Sequence, residues 1–204
     1  TITGLNYNTL YSFSVTAKDA EGNTSAASPI ATATTFNDTE APSAPLGGNA
    51  EAESMYAISV SWLASTDNIG VVSYDLYING VKGPNTTGTS LLVEGLTYAT
   101  SYNFSIVARD AAGNSSVMSG SIAATTLADT EAPTAPSNLS AQATGMTTAS
   151  LSWGAATDNV GVAEYTLYLN GNVFATLGTA TSFTLTGLAS ATEYTLALRA
   201  KDAS

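Results

Sequence analysis

The feature that most constrains this chain is a short pattern that occurs three times. The pattern, G-L-x-x-x-T-x-Y, begins at Gly4, Gly95 and Gly187, so the copies lie 91 and 92 residues apart (95 − 4 and 187 − 95). Each copy runs into a segment that ends in A-[KR]-D-A. A sequence that repeats at a fixed period is an array of one structural module. The 204 residues are therefore predicted to form a tandem array of one module.

A second repeated segment marks the boundaries between modules. Asp-Thr-Glu-Ala-Pro occupies residues 38–42 and recurs at residues 129–133, again 91 residues later. Proline stiffens an extended segment, so these two stretches are interpreted as linkers. The boundaries predict the C-terminal strands of a partial module over residues 1–36, a complete module over residues 37–127, and a module that lacks its last strand over residues 128–204.

Within the module, apolar residues alternate with polar ones. Ile58, Val60 and Trp62 alternate with serines, and Tyr74, Leu76 and Ile78 alternate with Asp75 and Tyr77. A period of two predicts half-buried β-strands, and Asn79-Gly80 is a strong signal for a two-residue hairpin. No segment keeps a helical stripe of period 3.6. The sequence therefore predicts an all-β chain of sandwiches.

These patterns together resemble fibronectin type III modules. The resemblance rests on Trp62 and Trp153 in the second strand, on the leucine-to-tyrosine corner, and on the strand pattern Y-x-F-x-V-x-A. It implies immunoglobulin-like sandwiches of seven strands in two antiparallel sheets, with the tryptophan in the core and the corner tyrosine bonded back to the backbone near the preceding leucine. The structural residues so implied are Trp62, Trp153, Tyr11, Tyr102, Tyr194, Leu5, Leu96 and Leu188.

Two further segments resemble one branch of that family. They are the Asp-Thr-Glu-Ala-Pro linker and the loop Thr-Asp-Asn-[IV]-Gly-Val, which begins at Thr66 and again at Thr157. Both look like bacterial modules found in secreted polysaccharide-degrading enzymes and large surface adhesins. The resemblance implies an extracellular or cell-surface location.

The charge and the residue types argue against several classes of function. Five basic residues against sixteen acidic ones give a formal charge of −11, which repels nucleic acid and anionic lipid. No apolar run approaches the roughly 20 residues of a membrane-spanning helix, so we expect no membrane insertion. The chain has no histidine and no cysteine, which excludes Ser-His-Asp and Cys-His catalysis. The acidic residues recur once per module in loops and linkers, so no enzyme is predicted.

The recurring acidic residues suggest one structural Ca²⁺ site per module. In a sandwich of this type, the incoming linker, the loop after the second strand and the end of the sixth strand lie at the same pole. Ca²⁺ takes six to eight oxygen ligands. The candidate ligands are Asp38, Glu40, Asp67, Asp110, Asn68 and Asn114 in one module, and Asp129, Glu131, Asp158, Asp202 and Asn159 in the next.

A simpler interpretation of the same residues stays open. Asp67 and Asp158 can shape turns by accepting hydrogen bonds from nearby backbone, while the linker acids stay solvated. The dense D-x-D-x-D-G spacing of a dedicated calcium loop is absent. No cofactor other than a structural Ca²⁺ is suggested.

The leading hypothesis for function is a spacer or stalk in a large secreted or surface-displayed bacterial protein, such as a surface adhesin or filament. Its partners would be the flanking modules of the same polypeptide. One alternative is an adhesive module that binds cell-surface proteins or glycans, with Tyr77, Tyr98 and Tyr168 as stacking platforms. Another alternative is an accessory module of a polysaccharide-degrading enzyme.

Overall fold

The computed structural model describes residues 1–204, and its regular structure consists of 15 β-strands. The chain divides into two compact units, Thr1–Leu127 and Ala128–Ser204. No helix in it has the length and apolarity needed to cross a membrane. The strands of the first unit are β1 Leu10–Phe13, β2 Ala31–Thr34, β3 Leu46–Ala52, β4 Ala57–Leu63, β5 Val71–Ile78, β6 Val81–Thr86, β7 Ser90–Glu94, β8 Ser101–Asp110 and β9 Ile122–Thr125.

In the first unit, seven consecutive strands form two antiparallel sheets. One sheet has the order β3-β4-β7 and the other has the order β6-β5-β8-β9. The remaining two strands, β1 and β2, pair with each other in a separate antiparallel sheet. The all-β sandwich predicted from the alternating pattern is confirmed.

The second unit repeats the first six strands of that arrangement. Its two sheets have the orders β10-β11-β14 and β13-β12-β15. The strands are β10 Ser137–Ala143, β11 Ala149–Gly154, β12 Val162–Leu169, β13 Asn172–Thr176, β14 Ser182–Leu185 and β15 Leu196–Asp202. In the first unit, β9 pairs with β8 at Tyr102 and Phe104. The residues at the same positions in the second unit, Tyr194 and Leu196, line an open groove of about 850 Å³.

The core of the first sandwich follows from the alternation of β4, β5 and β8. Ile58 and Val60 are fully buried and Trp62 is 5% exposed, all on the inner face of β4. Each such side chain contributes about 1.5–3 kcal/mol through the apolar area it removes from water. The indole of Trp62 meets the ring of Tyr74 edge-on, with ring centroids 5.4 Å apart.

The second sandwich has the same aromatic centre. Trp153 on β11 meets Tyr165 on β12 edge-on, with ring centroids 5.7 Å apart. Leu151, Leu167 and Leu185 are buried around this pair. The repeated pair shows that both cores are built from the same sequence positions.

The corner before the sixth strand of each module is held by a tyrosine hydroxyl. The backbone N–H of Thr97 donates to the hydroxyl of Tyr102, and the equivalent bonds run from Asn6 to Tyr11 and from Ala189 to Tyr194, each at 2.9 Å. Beside these bonds, Leu96 and Leu188 pack against the cores of their sandwiches, and Leu5 is half-buried.

A threonine completes this corner, and the sequence analysis did not identify it. The buried hydroxyl of Thr126 donates to the carbonyl oxygen of Thr97 at 2.6 Å and accepts from the N–H of Thr100 at 3.0 Å. Thr35 makes the same two bonds with Asn6 and Thr9, at 2.6 and 2.9 Å. The signal was the spacing of the two threonines, 91 residues (126 − 35), which equals the module period.

The predicted hairpin is present in both units. Asn79 and Gly80 have φ angles of 50° and 79°, the left-handed values that a type I′ turn requires at both central residues. Asn170 and Gly171 repeat this turn with φ angles of 48° and 80°. The side-chain oxygen of Asn79 also accepts from the N–H of Asn103 at 2.9 Å, which anchors the turn to β8.

Replacing Tyr102 by Phe is expected to lower the free energy of unfolding of the first sandwich by about 1 kcal/mol, because the N–H of Thr97 loses its acceptor. Urea titrations followed by the fluorescence of Trp62 measure this, in a chain where Trp153 is changed to Phe. Tyr98→Phe is the matched control, because no hydrogen bond of its hydroxyl is seen, and it should change the midpoint little. Equal effects of the two substitutions would contradict a role for the corner bond.

Candidate metal centre

Three separate segments of the first unit each bring one aspartate to the same place. Asp38 precedes β3, Asp67 lies in the loop between β4 and β5, and Asp110 is the last residue of β8. One carboxylate oxygen from each lies within 4.8 Å of the others. We call these three residues the first acidic cluster.

The second unit repeats the arrangement at the corresponding positions. Asp129 precedes β10, Asp158 lies between β11 and β12, and Asp202 is the last residue of β15. Their carboxylate oxygens also lie within 4.8 Å of one another, and we call them the second acidic cluster. The structure therefore brings together six of the eight acidic residues that the sequence analysis singled out.

The two glutamates of that set do not join the clusters. Glu40 and Glu131 are exposed, and their carboxylates are not among the converging oxygens. Their backbone N–H groups contact the clusters instead. The N–H of Glu40 donates to Asp38 Oδ1 at 3.2 Å, and the N–H of Glu131 donates to Asp129 Oδ1 at 3.1 Å.

The aromatic core sets the position of the loop that carries Asp67. The hydroxyl of Tyr74, whose ring packs on Trp62, accepts from the N–H of Ser65 at 2.9 Å. In the second unit the hydroxyl of Tyr165 accepts from the N–H of Ala156 at 2.9 Å, two residues before Asp158. Both loops are thus anchored to the core just before the aspartate.

Each loop aspartate uses only one of its two oxygens to shape the turn. Asp67 Oδ1 accepts from the N–H groups of Ile69 and Gly70 at 3.0 and 2.9 Å. Asp158 Oδ1 accepts from Val160 and Gly161, both at 2.9 Å. In both residues the other oxygen, Oδ2, is buried and accepts no hydrogen bond. Turn formation therefore accounts for only half of each carboxylate.

In the first acidic cluster, several oxygens surround the side-chain nitrogen of Asn114. This Nδ2 lies 2.7 Å from Asp110 Oδ2, 3.1 Å from Asp38 Oδ2, 3.0 Å from the carbonyl oxygen of Glu40 and 3.4 Å from that of Asp38. An amide nitrogen carries two hydrogens, so four oxygens converge on a group that can fully satisfy two. The position is rich in acceptors.

In the second acidic cluster, Asp129 is 8% exposed and Asp202 is 9% exposed. Asp129 Oδ1 accepts from the side-chain nitrogen of Asn159 at 3.0 Å as well as from Glu131. Asp129 Oδ2 is buried and has no donor. Asp202 Oδ1 accepts from the hydroxyl and the N–H of Ser204 at 2.7 and 3.0 Å.

Hydrogen bonds keep the strand-end carboxylates ionised. Burial raises the pKa of Asp110, but the bonds donated by the side chain and N–H of Asn114 and by neighbouring backbone hold it below its ordinary value. The hydroxyl and N–H of Ser204 lower the pKa of Asp202. Both ion pairs of the chain involve Asp75, so neither cluster is neutralised by a salt bridge. Closely spaced, ionised oxygen ligands of this kind are those that hard divalent cations take.

A fifth buried aspartate, Asp75, lies outside both clusters. The alternation of β5 places it on the outer face, yet it is 2% exposed. Its Oδ2 lies 2.8 Å from Lys82 Nζ and accepts a hydrogen bond from Arg109 Nε at 2.5 Å. The matching position of the second unit holds Thr166, so this pair is specific to the first sandwich.

Comparison with known proteins identifies the module. The family model for the Fibronectin type III domain matches residues 43–125 and 134–204. The two matched segments correspond to the two sandwiches and make up more than half of the chain.

Several bacterial proteins contain segments similar to this chain. Chitinase A1 of Niallia circulans is 48% identical over 172 residues, which cover 81% of this chain and 24% of that protein. Exoglucanase A of Cellulomonas fimi is 44% identical over 99% of this chain and 25% of its own length. Exoglucanase B of the same organism is 37% identical over 99% of this chain and 19% of its own length. The chain thus spans a quarter or less of these relatives.

Asp75→Asn is expected to destabilise the first sandwich at neutral pH by about 1–3 kcal/mol, since charge-assisted hydrogen bonds from Arg109 and Lys82 are lost. Burial raises the pKa of Asp75, but these two partners lower it more, so its folded-state pKa lies below the ordinary value. Stabilisation by such a group is present above its unfolded-state pKa of about 3.9 and is lost as the pH falls through the folded-state pKa.

The difference between the parent chain and Asp75→Asn should therefore shrink as the pH falls. Urea titrations at neutral pH and at about pH 2 measure it. Asp75→Thr, which introduces the residue found at the matching position 166, is the matched variant. Its difference in unfolding free energy from the parent chain should shrink with falling pH in the same way. A difference that stays constant across this range would contradict the ion-pair assignment.

Proposed function

Because the chain belongs to the fibronectin type III family, we propose that it is a non-catalytic spacer within a bacterial polysaccharide-degrading enzyme. The observation that carries this proposal is the distribution of the matches. Similarity to a chitinase and two exoglucanases extends over 81–99% of this chain but over only 19–25% of those proteins. A segment of this kind is one part of a larger polypeptide, and its immediate partners are the modules that flank it.

Fibronectin type III modules are non-catalytic, and the residues of this chain agree with that character. It has no histidine or cysteine to act as a base or nucleophile. The carboxylates of Asp38, Asp110 and Asp129 accept hydrogen bonds from asparagine side chains or backbone, which is a structural role. The chemistry of the proposed enzyme therefore belongs to another domain.

The proposed enzyme places the array outside the cell. Polymers such as chitin and glucans are too large to be taken up intact, so enzymes that cut them act on the outside. The surface suits that setting, because charged residues make up only 10% of the chain and the net charge is −11. A weakly charged acidic surface is soluble and adheres little to other acidic macromolecules.

As a spacer, each sandwich supplies a rigid length. The longest strand, β8, has 10 residues and extends about 33 Å at 3.3 Å per residue. The prolines at positions 42, 45, 133 and 136 stiffen the segment that precedes each sandwich. We infer that the array keeps a catalytic domain at a set distance from the next part of the polypeptide.

The alternatives of glycan binding and surface adhesion receive less support. Tyr77, Tyr98 and Tyr168 are half-buried, and the guanidinium of Arg199 lies over the ring of Tyr168, 5.5 Å from its centroid. A sugar-stacking platform needs open aromatic faces. The relatives described above are enzymes by name, so we favour the enzyme module over the adhesin or filament.

The proposal predicts that this chain can replace the similar segment of Chitinase A1 of Niallia circulans. Deleting that segment should lower the rate on insoluble chitin more than the rate on a soluble oligosaccharide, and inserting this chain should restore it. A flexible Gly/Ser linker of equal residue number is the matched control and should restore less. Equal losses on both substrates would contradict a spacer role.

A second measurement separates a spacer from a binding module. The isolated 204-residue chain, mixed with insoluble chitin or cellulose, is expected to stay in the supernatant after centrifugation. Sedimentation of the chain with either polymer would contradict the proposal and favour the glycan-binding alternative.

A further inference from the structure

Each acidic cluster contains at least one buried carboxylate oxygen that receives no hydrogen bond from the protein. Each cluster holds three aspartate oxygens within 4.8 Å, and no lysine or arginine forms an ion pair with any of these residues. Like charges at this spacing repel, and the repulsion grows as water is excluded. A buried carboxylate oxygen without a donor adds a further desolvation cost. The same costly arrangement occurs twice in one chain.

The unpartnered oxygens identify where a ligand is needed. Asp129, a member of the second acidic cluster, is more than nine-tenths buried, and its Oδ2 accepts no hydrogen bond. Asp158 Oδ2 in the same cluster is also buried without a donor, and so is Asp67 Oδ2 in the first acidic cluster. Turn geometry explains the Oδ1 atoms of the two loop aspartates but gives these Oδ2 atoms no partner.

The first acidic cluster also shows how many oxygens are available. Around the side-chain nitrogen of Asn114 lie Asp38 Oδ2, Asp110 Oδ2 and the carbonyl oxygens of Asp38 and Glu40, at 2.7–3.4 Å. Asp67 supplies a fifth oxygen. If the amide of Asn114 turns over, its own Oδ1 becomes a sixth. Carboxylate, amide and backbone oxygens in this number are the ligand set that Ca²⁺ prefers.

We propose that each acidic cluster binds one Ca²⁺ ion, which joins the segment before the first strand of a sandwich to the loop and strand end of that same sandwich. The donors are all oxygen, so a metal that prefers nitrogen or sulfur is disfavoured. Mg²⁺ demands a near-ideal octahedron at 2.0–2.1 Å and retains several waters. A mixed, irregular set of protein oxygens suits the larger ion better.

The ion converts the linker aspartate into a structural anchor. Asp38 and Asp129 lie before the first strand of each sandwich, whereas their cluster partners come from the loop after the second strand and from the end of the sixth. A shared cation replaces the repulsion among these three elements with attraction. The segment at residues 38–42, and its repeat at 129–133, is then fixed to the sandwich that follows it.

Isothermal titration calorimetry of the full 204-residue chain with CaCl₂ tests the proposal. The expected stoichiometry is two ions per chain, one for each cluster. Asp38→Asn and Asp129→Asn should each reduce it to one, and the double variant should bind none. Saturating Ca²⁺ should raise the melting temperature by about 5 °C or more relative to chelator, and the same concentration of Mg²⁺ should do less.

Glu94→Gln is the matched control, since Glu94 is an exposed acid on β7 outside both clusters, and it should leave both measurements unchanged. Circular dichroism of each variant in chelator checks that it is folded. If a variant fails to fold, terbium luminescence excited through the aromatic residues of the parent chain provides the second measurement, and added Ca²⁺ should quench it. Absence of calcium-dependent heat and of a melting shift in the parent chain would overturn the proposal, as would binding that persists in the folded double variant.

Discussion

The edge-on contact between a tryptophan and a tyrosine, enclosed by the two sheets of a sandwich, is the interaction on which the rest of the structure depends. It joins β4 to β5 through Trp62 and Tyr74 in the first unit, and β11 to β12 through Trp153 and Tyr165 in the second. Because a buried tyrosine needs a hydrogen-bond partner, its hydroxyl reaches out of the core to a loop amide. The core thereby fixes the start of this loop.

That loop carries the aspartate of each acidic cluster. The amide held by the core tyrosine belongs to Ser65 in the first unit, two residues before Asp67, and to Ala156 in the second, two residues before Asp158. The other two aspartates come from the preceding linker and from the end of a strand that is itself part of the core. The cluster geometry is therefore a consequence of sandwich packing, and a passive spacer and a cation-binding junction are compatible properties of one module.

Much of this arrangement could be predicted from the sequence because its signals are local or periodic. Alternation identified the inner faces of β4, β5 and β8, and Asn79-Gly80 specified its hairpin. Convergence of Asp38, Asp67 and Asp110 followed from the order of strands in the resembling family.

Two features had no local signal in the sequence. Asp75 is buried although alternation places it outward, because the long side chains of Arg109 and Lys82 cover it. Glu40 contacts the first acidic cluster through its backbone instead of its carboxylate. Which of the two faces the cluster depends on the direction of the chain through the linker.

The most direct measurement is an anomalous difference map from crystals of the chain grown with Ca²⁺. We expect one peak at each acidic cluster, about 2.3–2.6 Å from an oxygen of each of its three aspartates, with Trp62 and Trp153 packed on their tyrosines. Crystals in which the tryptophans are packed in this way but the three carboxylates turn apart, with no peak between them, would contradict the claim that the core builds a cation site.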